Sequence, residues 1–95
     1  MKRLRWATLA LDDLEQLRDY LRLRDPAAAR RVVEAVRERA KLLKQHPMAG
    51  PPLDIGEARK LSVGRYPYLL VYRVSDGEVT ILRVHHAAEA WRDDS

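Results

Sequence analysis

Three prolines fall within the seven residues His46-Pro47-Met48-Ala49-Gly50-Pro51-Pro52, and the hydrophobic pattern changes its period across that stretch. Proline has no amide proton to donate and pushes the residue before it into extended backbone, so no helix or regular strand can run through the segment. Upstream, apolar residues recur every three or four positions, as on one face of a helix. Downstream they alternate, as on one face of a strand. A chain patterned in this way must pack helices against a sheet made from its other half, an α+β arrangement.

Leu11, Leu14, Leu17 and Leu21, with Tyr20 beside them, follow the three-and-four spacing, while Asp12, Asp13, Glu15, Arg18 and Asp19 take the other face. This predicts an amphipathic helix over 8–24, with Thr8 as its N-cap and early acids and late arginines suited to the helix dipole. Asp25-Pro26 starts a second helix, because Asp can cap it and Pro at the first helical position loses no hydrogen bond. Its stripe is Ala29, Val32, Val33, Val36, Ala40 and Leu43, ending near Gln45-His46. A connection this short folds the two helices back as an antiparallel hairpin. Lys2 to Trp6 alternates as a short strand ahead of them, with Leu4 and Trp6 on one side. Beyond the prolines, 58–63, 66–74 and 78–84 read as strands, and Ser75-Asp76-Gly77 supplies a hairpin turn between the last two. The expected order is β-α-α-β-β-β, with the first strand at the sheet edge or beside a later strand. One helical turn is expected over Ala87 to Trp91.

At 95 residues with 46% hydrophobic content, the chain suits one domain, 1–95, with a single modest core. Its purely apolar runs, such as Leu69-Leu70-Val71, are far too short to span a bilayer. The basic N-terminus lacks the apolar core of a signal peptide, so a cytoplasmic protein is expected. The absence of cysteine removes disulfides, thiolate nucleophiles and thiolate zinc sites together. The net charge of +4 is unevenly spread: residues 1–7 carry +3 and residues 26–46 carry +4, while 8–25 carry −2. Such a chain could meet nucleic acid or an acidic protein, and charge alone does not separate the two.

The candidate chemistry gathers in the second half. His85 and His86 could act as acid or base near neutral pH. Adjacent residues of an extended chain point to opposite sides, so they do not chelate one ion, and no metal or cofactor is expected. Arg59, Lys60, Arg65, Arg73 and Arg83 form either a basic face for phosphates or acidic protein, or the ordinary solvent side of alternating strands. Tyr66, Tyr68 and Tyr72 share a parity and suit core packing more than stacking on bases. Trp91, bulky in a polar tail, calls for a surface to cover it.

Several of these segments, taken in order, resemble the ParE/RelE toxin superfamily of type II toxin–antitoxin systems. They are the first strand ending in Trp6, Asp13-Leu14, Asp25-Pro26-Ala27-Ala28-Ala29 and His46-Pro47-Met48-Ala49-Gly50. Arg59-Lys60-Leu61-Ser62-Val63, Tyr66 to Val74, and Ile81-Leu82-Arg83-Val84-His85-His86 complete the set. The likeness covers nearly the whole chain and implies an antitoxin that holds the toxin inactive. RelE-like members cleave ribosome-bound mRNA and carry an active-site Arg in the central strand, where this chain has Leu69. Their basic C-terminal cluster is here Ala87-Ala88-Glu89-Ala90. Both departures bring the sequence closer to the ParE branch, which is associated with DNA gyrase. The implied function is therefore gyrase inhibition, neutralised by an acidic, ParD-like or other antitoxin in a hetero-oligomer. The alternatives are a RelE-like endoribonuclease and an inactive toxin that only binds antitoxin. No catalytic residue is assigned. The expected target-facing surface is Arg59, Lys60, Arg65 and Arg83, with His86 and Trp91 at the end of the sheet, acting by binding rather than bond-making.

Overall fold

The computed structural model describes residues 1–54 and 56–88. The order is β1 (Arg3–Trp6), α1 (Thr8–Arg22), α2 (Pro26–Leu42), β2 (Ala58–Ser62), β3 (Tyr68–Ser75) and β4 (Glu78–His86). The strands form one mixed sheet in the order β1-β4-β3-β2. β1 runs parallel to β4, and the other neighbours are antiparallel. The first strand is thus both at the edge and beside the last one.

The helical hairpin forms where the sequence places it, with differences at its ends. Asp25 caps α2 by accepting from the amides of Ala27 and Ala28, and Pro26 opens the helix. α1 begins differently: Ala7 is its N-cap, no side chain caps it, and its first turn holds no acid. Thr8 is already inside the helix, and Asp12 and Asp13 fall in the second turn. The buried stripe of α1 is also displaced by one position. Ala10 and Leu14 are buried and Leu17 and Leu21 pack against the core, whereas Leu11 is 48% exposed. An alanine at position 10 lets the helix lie close to its neighbours, and the larger Leu11 is left outside. α2 buries Ala29, Val32, Val36 and Ala40 and stops at Leu42.

The core lies between the hairpin and one face of the sheet, with Leu61, Leu70, Tyr72, Val79, Ile81 and Val84 below Val32, Val36 and Leu43. A bulge in β4 makes this possible. Val71 faces Arg83 but Tyr72 faces Ile81, so Leu82 is an extra residue. Strict alternation would put Ile81 and Val84 on opposite sides; the extra residue brings both to the core. Asp76-Gly77 forms the two-residue β3–β4 turn, with Gly77 at φ 75.

The proline segment runs back along the outer edge of β2. Lys60 donates its amide to the Pro51 carbonyl, Leu53 donates to the Ala58 carbonyl, and Pro52 bridges Arg59. Gly50 sits so close to β2 that a Cβ there would run into the Lys60 carbonyl oxygen. The prolines thus end α2 and also cover a sheet edge that would otherwise offer unpaired backbone groups. No helix among the described residues is long and apolar enough to cross a membrane.

Candidate functional site

The face of the sheet turned away from the helices is the part of the fold that the hairpin leaves open. Strand register assigns its occupants row by row. Ser62, Leu69 and His85 form one row, and Lys60, Val71 and Arg83 the next. Ala58, Arg73, Thr80 and Arg5 follow, then Ser75, Glu78 and Arg3. Cations therefore recur in three successive rows, on all four strands.

Arg83 is held from outside the sheet. β1 stops at Trp6 opposite Ile81, so β4 continues beyond it without a strand neighbour on that side. α1 takes that place. The Asp13 carboxylate accepts from Arg83 Nε at 2.8 Å and Nη2 at 3.0 Å, and from the Val84 amide at 2.9 Å. One carboxylate thus satisfies the Val84 amide of the last strand and fixes the Arg83 guanidinium in a bidentate pair. Burial pushes the Asp13 carboxyl up, but the hydrogen bonds from Arg83 and Val84, with the charges of Arg83 and His85, outweigh it and hold it below 3.8.

The residues expected to form one surface fall in several places. Lys60 and Arg83 flank Val71 on the open face. Arg59 belongs to the opposite face, opposite Tyr72, and donates to the Gly50 carbonyl at 2.7 Å. It secures the proline segment there, beside a second tie: the buried Tyr72 hydroxyl donates to the Pro47 carbonyl and accepts from the Gly50 amide. Arg65 is exposed in the β2–β3 turn, its guanidinium 5.8 Å from the Tyr66 ring centre. His86 shares the helix-side parity, meets Tyr68 edge-on at 5.3 Å, and accepts from the Ala88 amide through Nδ1. His85 is on the open face beside Leu69. Trp91, and the rest of the helical turn expected beyond Ala88, lie outside the described residues. Among the described residues, no group of acidic and histidine side chains is placed to hold a metal.

Leu69 is 8% exposed and lies apart from the main core cluster, in the row between Ser62 and His85. Two features escaped the reading of the sequence. Asp13 reads in the sequence as one acid of a solvated helix face and as part of the Asp13-Leu14 segment, and nothing in its spacing announces a partner 70 residues away. Arg3 and Arg5 reach the open face only through the parallel pairing of the first strand with the last.

An antiparallel helical hairpin over one face of a β1-β4-β3-β2 sheet is the fold of the small ParE/RelE-like toxins. The family model for the ParE toxin of the type II toxin–antitoxin system parDE matches residues 4–91. The chain is 39% identical over 83 residues to toxin RelE2 of Caulobacter vibrioides, covering 87% of this chain and 92% of that one. Among solved structures it resembles the chromosomal ParDE toxin–antitoxin system from P. aeruginosa, with a TM-score of 0.82 and 30% identity. That match covers 90% of this chain and 96% of the other. It also resembles the RelBE2 toxin–antitoxin complex of Mycobacterium tuberculosis, with a TM-score of 0.68, 32% identity and the same two coverages. The chain belongs to the ParE toxin family of type II toxin–antitoxin systems.

Proposed function

We propose that this toxin acts by binding, with DNA gyrase or its DNA complex as target, and is neutralised by an acidic antitoxin. Leu69 carries the reading. At the position where RelE-like members place an arginine, an apolar side chain sits nearly buried between Ser62 and His85. It cannot grip a phosphate or stabilise charge that develops on one. Arg83, one row away, is engaged by Asp13. His85 therefore has no cation at Leu69 to share the work of RNA cleavage.

The antitoxin reading draws on both charge and exposed apolar surface. The N-terminal strand and α2 are basic, while Leu9, Leu11, Tyr20 and Leu23 stand 48–88% exposed along α1 and its end. An acidic segment with apolar side chains would match both. Related solved structures are toxin–antitoxin complexes.

Expression in cells without the antitoxin tests the target. DNA-damage (SOS) induction and filamentation with intact transcripts are the expected result. Rapid cleavage of ribosome-bound mRNA would overturn the proposal in favour of RelE-like chemistry, and undisturbed growth would leave a chain that only binds antitoxin.

A further inference from the structure

We infer that Arg3, Arg5 and Arg73 form a binding site for the sugar–phosphate backbone of duplex DNA on the open face of the sheet. The inference rests on the gyrase–DNA reading of the target and gives this chain its own contact to the nucleic acid. The site is distinct from the expected surface at Arg59, Lys60, Arg65 and Arg83. It lies toward the β3–β4 turn, and β1 supplies two of its three cations.

The geometry comes from register. Arg5 is level with Thr80, and Thr80 with Arg73, so the two guanidinium-bearing positions straddle a nearly buried threonine. Two strand spacings, about 9.6 Å, separate them. Arg3 lies two residues from Arg5 on the same side, about 6.6 Å along the strand. All three are exposed, and among the described residues none of their side chains makes a hydrogen bond or an ion pair. Arg83 and Arg59 are engaged by Asp13 and Gly50, whereas these three are free to meet an anion. Among the described residues, the carboxylates facing this region are Glu78, level with Arg3, and Asp76 in the turn. Neither comes within ion-pair distance of the three arginines.

The surrounding surface selects the ligand. An antitoxin segment needs apolar anchors to bind tightly, and the rows that hold the three arginines otherwise carry Thr80, Ser75, Glu78 and the small Ala58, with no bulky apolar side chain among them. A single-stranded RNA or DNA binds best on aromatic platforms, yet Trp6, Tyr68 and Tyr72 have the opposite parity, on the helix side. Cations on a polar, unstacked face suit contacts to a duplex backbone, which position a protein on DNA without reading its sequence.

The test is salt-dependent fluorescence anisotropy of the purified toxin on a short labelled duplex, comparing wild type with the R3Q/R5Q/R73Q variant. The slope of log affinity against log salt should fall by about 0.9 for each lost phosphate contact, roughly 2.7 in all. The exposed, unpartnered side chains should leave the thermal melt unchanged. If the triple variant does not fold, R5Q/R73Q should lower the slope by about 1.8. An unchanged slope overturns the site. Equal or tighter binding of the wild type to single-stranded RNA also overturns it, as does a variant that keeps DNA binding but no longer retains antitoxin. These outcomes are separate from the target itself, since transcript cleavage in cells would reject the gyrase reading whatever the anisotropy shows.

Discussion

Tyr72 shows how one polar atom can fix a long stretch of irregular chain. Its ring is fully buried in the core, and its hydroxyl joins two backbone groups of the proline segment. Tyr72→Phe keeps the ring but leaves the Gly50 amide buried without a partner, which should cost about 1–3 kcal/mol. For a domain of this size that is a fall of roughly 4–8 °C in Tm per kcal/mol in a thermal melt. Asp13 makes a prediction with a pH dependence. Its carboxyl is lowered in the folded state, so its contribution is present above the ordinary value of 3.8 and lost as pH falls through the folded value. Asp13→Asn should therefore destabilise by about 1–2 kcal/mol at neutral pH, and urea titrations should show the gap to wild type closing in acid below pH 3.8. The same pair changes how the expected site must be probed. Charge reversal at Arg83 or Arg59 also breaks a structural tie, so loss of toxicity in those variants has to be judged beside their melts.

At the scale of elements, the parts legible in the sequence are those whose signal is local. Asp25-Pro26 specifies a helix start by chemistry contained in four residues, and Asp76-Gly77 specifies a turn in two. Asp25→Ala should accordingly cost about 1 kcal/mol through loss of the cap to Ala27 and Ala28, readable as a lower denaturation midpoint with unchanged m-value. Thr8 does not cap α1, because a good capping residue caps only where the chain leaves the strand at that point. The turn out of β1 comes one residue earlier, at Ala7, whose amide still belongs to the sheet through the Ile81 carbonyl. The bulge at Leu82 had no local mark at all: its cause is the need to put both Ile81 and Val84 against the helices. Arg59 and Lys60 are neighbours in sequence, but extended backbone turns them to opposite sides of the sheet, and His85 and His86 separate for the same reason.

For the molecule as a whole, two kinds of surface remain after the core is made: a basic sheet face and a partly apolar helical hairpin. If the antitoxin covers the hairpin with apolar anchors and is drawn in by opposite charge, salt should act on the two rates differently. Stopped-flow and dissociation measurements are expected to show association slowing steeply as salt rises and dissociation changing little. A complex that falls apart at near-molar salt would instead be held mainly by ions. The parallel pairing of Arg3–Trp6 with residues 78–81 has a consequence for synthesis. The first strand to leave the ribosome can be seated only by the last, so a nascent chain ending short of Glu78 holds β1 with no strand to join. Ribosome-stalled chains of that length should be cut readily by protease near residues 2–6, and chains in which β4 has emerged should resist. The basic edge that Arg3 and Arg5 bring to the sheet is thus assembled only once β4 has been made, and a chain still short of it has yet to acquire that surface.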